Sequence, residues 1–397
     1  QMCIRDRVKG LVENPPKEYR SAPFWGWNDR LQKENLGEQI EGFKKAGMGG
    51  FFIHSREGLE TEYLSTEWME DVKFCVDKAR ENDLELWIYD EDKWPSGAAG
   101  GKVSRVNPAE FTARALTMEC GKAGELAVPA KLSNEEERTV TGDSDSIMCG
   151  GNRSTDENFM SGRNGSEDLA VEETMETEFL QGVYVIQTAA DGRFIKRMKE
   201  YLTYEEAAGA CGVDEEILLL RQEISGKSEW YNGLMPPDNL NPESVKTFLK
   251  LTHEHYEEVF GGSFPKEVKG FFTDEPNCCD FFSVFHEGRP WIPWSIGFTE
   301  YFIEKRGYDP QEKLPYLFFD GEGAEKIRHD YWKTVAQRFE ESYMKQVYEW
   351  CDKRGLRTTG HILYENDLGY QTRVCGAAMP QLRYLHNPGI DLLGAQT

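Results

Sequence analysis

The chain is predicted to be an α/β protein: a (β/α)8 TIM-type barrel, C-terminally truncated, with a β-rich insertion after the third strand. From Ser21 onward short apolar runs alternate with helical patterns, the signature of βα units around a parallel sheet. Several of those runs are too short for a helix and end in acids or histidine, as Phe271-Phe272-Thr273-Asp274-Glu275-Pro276 and Leu86-Trp87-Ile88-Tyr89-Asp90-Glu91-Asp92 do. At 397 residues there is room for one barrel of about 250 residues and an insertion.

The first strand is Pro23 to Asn28, followed by a helix from about Gln32 to Ala46 with Leu36, Ile40 and Phe43 at core spacing and Gly47 as its stop. Gly50 to Ser55 forms the second strand, and Ser65 opens a helix that runs to about Asn82. Leu86 to Tyr89 is the third strand. Residues 1–14 read as a non-native leader or disordered segment, and 15–102 as barrel strands one to three. In 103–228 the rhythm breaks into antiparallel-looking strands at about Phe111–Met118, Val183–Thr188 and Ile217–Ile224, with a mobile Ser-, Gly- and acid-rich loop over about 133–178. The barrel is expected to resume over 229–397. A short fourth strand ends at Asp238-Asn239, and Asn241 and Pro242 suit the cap and first turn of a helix running to about Phe260. The Asp274-Glu275 strand follows, then helices ending with one from about Ala324 to Lys353. A strand carrying His361 and Glu365 and a last one at Pro388–Gly394 give seven of eight strands, hence the expected truncation.

Composition narrows the chemistry. A formal net charge of -24 repels phosphate backbones and acidic membrane surfaces, so neither nucleic acid nor membrane is an expected partner. No stretch approaches the length of a membrane span, and no signal peptide is visible. Nine cysteines, an odd number without repeated spacing, suit reduced thiols and favour the cytoplasm, provided that no native N-terminal signal is missing. Zinc has no CxxC or HExxH to bind it, and no GxSxG, P-loop or GxGxxG supports a serine nucleophile, phosphoryl transfer or a dinucleotide. Ten tryptophans exceed the usual needs of packing, and tryptophan-rich pockets often hold sugars.

Barrel active sites gather at the C-terminal ends of strands. Those ends supply Trp27 and Asn28, His54, Asp90, Glu91 and Asp92, Asp238 and Asn239, Asp274 and Glu275, His361 and Glu365, and Asp391. Any one acid could be a helix cap or an arginine partner; the set argues for a pocket. Two carboxylates with aromatic platforms are what glycoside hydrolysis requires, one to protonate the leaving oxygen and one to activate water or attack the anomeric carbon. Phe271, Phe272 and Pro276 would desolvate Glu275 and Asp274 would repel its charge, which suits a general acid. Glu365 lies in the more polar Tyr364-Glu365-Asn366-Asp367, which suits an ionised base. Strand alternation puts Thr273 with Glu275 and His361 with Glu365, so a shared inward face would bring the two glutamates together. Trp27, Asn28, His54, Asp90, Glu91, Asp92, Asp274 and His361 are the expected substrate contacts. Glu91 stands in as partner should Glu275 and Glu365 face apart.

The blocks Pro23-Phe24-Trp25-Gly26-Trp27-Asn28, Gly49 to His54, Tyr89-Asp90-Glu91-Asp92-Lys93-Trp94-Pro95-Ser96-Gly97, Phe272 to Pro276 and Pro388 to Asp391 resemble the barrel of glycoside hydrolase family 106, the α-L-rhamnosidases, in order along the chain. The resemblance implies an inverting mechanism, a bacterial carbohydrate-active hydrolase, a calcium ion that helps hold the sugar, and C-terminal β-sandwich domains beyond Thr397. By it Glu275 is the general acid and Glu365 the general base. The expected substrate is a terminal α-L-rhamnoside of a plant or bacterial polysaccharide or oligosaccharide. The alternatives are another sugar specificity, a catalytically inactive carbohydrate-binding barrel, or a metal-dependent hydrolase of non-sugar substrates.

Overall fold

A computed structural model describes residues 4–128, 177–278 and 289–392 of the chain. With strands numbered in chain order, β1 (Phe24–Trp27), β2 (Gly50–Ser55), β3 (Glu85–Tyr89), β8 (Val268–Asp274), β10 (Arg357–His361) and β11 (Asn387–Pro388) form one parallel sheet, in that order. Every adjacent pair is parallel and every crossover brings the chain back beside the strand it left. A second sheet is antiparallel, in the order β6 (Ile195–Tyr201), β5 (Glu178–Thr188), β7 (Glu216–Ile224), β4 (Arg114–Gly121) and β9 (Trp291–Trp294). The molecule is therefore mixed α/β, with a parallel and a separate antiparallel sheet. Among the described residues no pairing joins β1 to β11, so the parallel sheet has two edges rather than a closed circuit.

Helices cover one face of the parallel sheet. Lys33–Lys45 and Thr66–Glu81 follow β1 and β2 as the periodicity predicts, the second capped by Ser65, whose Oγ accepts from the Trp68 N–H at 3.2 Å. Asn241 caps the helix that starts at Pro242, accepting from the Glu243 N–H at 3.0 Å. That helix and the one from Ala324 each carry a five-residue π-helical stretch, at Lys250–Glu254 and Glu340–Met344, before continuing to Phe260 and Asp352. The stretches bring His253 onto the Phe271 ring, with centroids 4.0 Å apart, and the Tyr343 hydroxyl to 2.8 Å from Thr273 Oγ1. The outward side chains of the sheet, Trp25, Phe51, Ile53, Leu86, Ile88 and Phe271, are buried in the main core. The opposite face carries Phe24, Phe52, Trp87, Tyr89 and Phe272, in a network of ring contacts.

Three expectations fail here. No strand ends at Asp238-Asn239: β3 pairs directly with β8, and Pro237 makes only an isolated antiparallel bridge to Thr112. Pro236 and Pro237 lack the N–H groups a ladder needs, which confines the segment to an edge. The last strand is Asn387–Pro388 rather than Pro388–Gly394, whose final two residues lie outside the described ones. And β9, which falls after β8 in the chain, joins the antiparallel sheet through β4 rather than the parallel one. The expected loop over 133–178 falls almost wholly outside the described residues.

The antiparallel sheet is apolar on both faces. Tyr184, Ile186, Leu218 and Leu220 join the main core, while Leu180, Val183, Val185, Ile217 and Leu219 form a smaller one with Ala207 of the helix Tyr204–Ala210. Alternation along β7, and along β5 from Val183 onward, produces this division, and a register shift between Leu180 and Gly182 brings Leu180 to the same side as Val183. Among the described residues no helix is long and apolar enough to cross a membrane.

Candidate active site

Asp274, the last residue of β8, faces away from the helices. One carboxylate oxygen accepts from the Tyr89 hydroxyl at 2.7 Å, and the other lies 2.7 Å from His361 Nε2 at the end of β10. On the other side of the imidazole, Glu365 Oε1 stands 3.4 Å from Nδ1, an ion-pair separation without hydrogen-bond alignment. The same oxygen accepts from the Asp391 N–H at 2.6 Å. Donor atoms of Glu275, His361 and Asp391 all lie within 4.8 Å of one another. Glu275, Glu365 and His361 thus meet at one place, with Asp274 and Asp391 beside them.

The route by which Glu275 arrives differs from the expected one. Thr273 does not share its face: its side chain turns to Tyr343 among the helices, and Asp274 takes the inward position. Glu275 adopts a left-handed backbone at φ 48°, which breaks the alternation and swings its carboxylate to the same side as Asp274. Tyr364, just before Glu365, is left-handed too at φ 56°. Such conformations strain non-glycine residues and cluster at functional sites.

Burial pushes the Glu275 carboxyl up to about 7; the negative charge of Asp274 adds to this and His361 opposes it. Burial alone would lower His361, but its hydrogen bond to Asp274 and the charges of Asp274, Glu365 and Glu275 outweigh that and hold it at about 9. Near neutrality the imidazole is therefore charged and Glu275 holds its proton part of the time. His54 goes the other way: burial, with Arg56 adding, lowers it to about 4, against the pull of Asp274 and Asp92. Its ring packs 3.8 Å from that of Tyr89, so it flanks the acid cluster as a neutral group.

Other expected contacts lie elsewhere. Trp27 is buried between Trp25 and Trp68 on the helix side of the sheet, with centroids 5.3 and 5.1 Å away, so its indole is core and not a sugar platform. The alternation that buries Trp25 buries Trp27 with it. Asn28 is exposed beyond the end of β1. Asp90 is fully buried and accepts from Ser96 Oγ at 2.6 Å; that hydroxyl in turn accepts from the Asp274 N–H at 2.8 Å, so Asp90 positions the end of β8. Glu91 is a clamp. Its carboxylate accepts from the N–H groups of Gly97, Ala98 and Ala99 at 2.8–3.1 Å and of Gly100 at 2.5 Å, closing the turn after β3. It is not placed to partner Glu275. Asp92 accepts from Ser55 Oγ at 2.7 Å and Asn232 Nδ2 at 2.9 Å, in a neighbouring cavity. Tyr89 and Ser96, which hold Asp274, were not singled out in the sequence; a hydroxyl flanking a run of acids was the only available signal.

The donor set at Glu275, His361 and Asp391 does not suit calcium. That ion takes six to eight oxygens, whereas one of these three donors is an imidazole already engaged by Asp274 and Glu365. Glu275 would also have to stay ionised.

No family model matches the chain, and no curated protein matches it. Among solved structures, a rhamnosidase from Novosphingobium sp. PP1Y shares the fold. It superposes with a TM-score of 0.56 over 95% of this chain at 14% identity. The chain spans about half of that structure, 49% of its length.

Proposed function

We propose that the protein is a glycoside hydrolase that cleaves terminal α-L-rhamnosides with inversion, with Glu275 as general acid and Glu365 as general base. The observation that carries this reading is the meeting of two carboxylates at one imidazole, one of them held at about 7. An acid of that strength keeps a proton near neutrality yet gives it up readily to a glycosidic oxygen. Glu365, oriented by the Asp391 N–H and the charged His361, accepts a proton from a water on the opposite face of the sugar. The water oxygen bonds to the anomeric carbon as the bond to the leaving oxygen breaks, and Glu275 supplies that oxygen's proton. Asp274, held by Tyr89, fixes the imidazole between the acids.

The rhamnosidase that shares the fold and the family resemblance in the sequence support the choice of sugar. In this reading the parallel sheet is the greater part of a (β/α)8 barrel, and β-sandwich domains belong to the whole protein. Calcium is a proposal of the resemblance alone, and no step above depends on it. The test is release of rhamnose, with the anomer identified by NMR, from an aryl α-L-rhamnoside by the protein and by Glu275→Gln. Glu275→Gln is expected to lose ~10²–10⁴-fold in kcat, the usual worth of a positioned acid. An unimpaired variant sinks the assignment, a retained anomeric configuration sinks inversion, and oligosaccharide binding without turnover would make the fold a binding module.

A further inference from the structure

The left-handed turn at Glu275 needs something to hold it. A positive φ costs free energy in a residue with a Cβ, and Pro276 biases the residue before it towards extended backbone, so the turn persists only where its surroundings fix it. Asp274, on one side, is locked by Ser96: the Ser96 N–H donates to the Asp274 carbonyl at 2.8 Å, and Ser96 Oγ accepts from the Asp274 N–H at 2.8 Å. On the other side the Asn277 side chain donates back to the Glu275 carbonyl at 3.1 Å, and the Cys278 N–H donates to the Val374 carbonyl at 2.8 Å.

Asn239 ties the two sides together. Its Nδ2 donates to the Ser96 carbonyl at 3.2 Å and to the Asn277 carbonyl at 3.0 Å, so one side-chain amide spans the turn after β3 and the turn after β8. Asn239 is buried, which leaves its amide no water to take in exchange for these partners. Its own backbone is fixed as well. Ser342 Oγ, in the π-helical stretch of the helix from Ala324, donates to the Asn239 carbonyl at 2.6 Å. Asp238 before it accepts from Ser295 Oγ and the Leu240 N–H, and Asn241 after it caps the next helix. A residue held this firmly sets the turn it touches.

We propose that Asn239 is a positioning residue for the reaction: by bridging the Ser96 and Asn277 carbonyls, its amide holds Glu275 in the left-handed conformation that brings the carboxylate to His361. The proposal rests on the glycosidase reading for the reaction it serves, and an NMR readout tests the geometry separately. Rates are compared on benzyl α-L-rhamnoside, whose leaving alkoxide needs a proton, and on 2,4-dinitrophenyl α-L-rhamnoside, whose leaving phenolate does not. Asn239→Ala is expected to lose ~10²-fold or more in kcat on the benzyl glycoside and less than ~10-fold on the dinitrophenyl one, the selectivity of a missing acid. Glu275→Gln sets the pattern to match. A generally loosened fold would lower both rates alike. The His361 ring is followed by NMR: its titration, at about 9 with Glu275 beside it, should move down in Asn239→Ala as in Glu275→Gln, because both take the same negative charge away. Thermal melting checks folding, and Asn239→Ser, too short to reach both carbonyls, carries the comparison if the alanine variant does not fold. Equal losses on the two glycosides, or an unmoved His361 titration, overturns the proposal. Failure of the wild-type protein to cleave either glycoside would instead sink the glycosidase reading, and the His361 comparison would then decide the geometry alone.

Discussion

Glu275 shows how much one backbone torsion decides. Continued extended alternation from Thr273 would have sent its carboxylate among the helices; the left-handed turn at φ 48° puts it beside His361 instead. Because an acid catalyst must be protonated, kcat/KM is expected to fall as pH rises through about 7. A pH–rate profile that stays flat between 6 and 8 would remove Glu275 from that role. The residue-level chemistry was partly legible. Burial and the adjacent Asp274 do raise Glu275, but Phe271 faces the helices, stacked on His253, on the other side of the sheet. The histidine between the acids was not legible as such: His361 is charged because Asp274 and Glu365 flank it, and its own segment only reveals the second.

At the scale of elements, the turns at the strand ends carry the precision of the site. Glu91 gathers four consecutive backbone N–H groups, and Gly97, at φ 124°, leaves no room for a Cβ, which would come within 2.3 Å of the Asn239 side chain. Glu91→Gln turns an acceptor towards donors into a mixed group, and a loss of about 2 kcal/mol or more is expected in urea unfolding. Gly360 has a comparable constraint: at φ 140°, an added Cβ would sit 1.9 Å from the Thr273 carbonyl oxygen, in the β8–β10 ladder. Gly360→Ala should therefore separate the strands bearing Asp274 and His361. Its melting temperature is expected to drop, with activity falling further than in Glu91→Gln; wild-type stability would contradict the ladder. The caps at Ser65 and Asn241 were legible because they are local patterns. The role of β9 was not, since its partner β4 lies more than 170 residues earlier in the chain.

For the whole molecule, pH dependence of stability follows from the same groups. His361 has a raised folded pKa, so its contribution is full below about 6.5 and is lost as pH rises through about 9. Glu275 is also raised, and its share is lost between about 4.5 and 7. His54 is lowered to about 4, so stability falls as pH drops from about 6.5 to 4, opposing Glu275 in that range. Above pH 6.5 the opposition ends. Melting temperature is expected to decline from pH 6.5 to 9, and His361→Gln should flatten that decline; an unchanged slope would mean that the imidazole is not held between charges. Self-repulsion from a net charge of -24 should also make the protein more stable in 0.5 M salt than at low ionic strength.

The sequence by itself located most of the parallel strands and the helices between them, though it added one at Asp238-Asn239 that the sheet lacks, because period-2 and period-3.6 patterns, caps and glycine stops are written within about 20 residues. It also marked which strand ends carry acids. Only the tertiary structure decided which of those acids meet. Trp27 went to the core and Glu91 to a turn, while Glu275, His361 and Glu365 converged from strands 80 to 90 residues apart. Facing depends on sheet register and on two left-handed residues, and neither is fixed by local pattern.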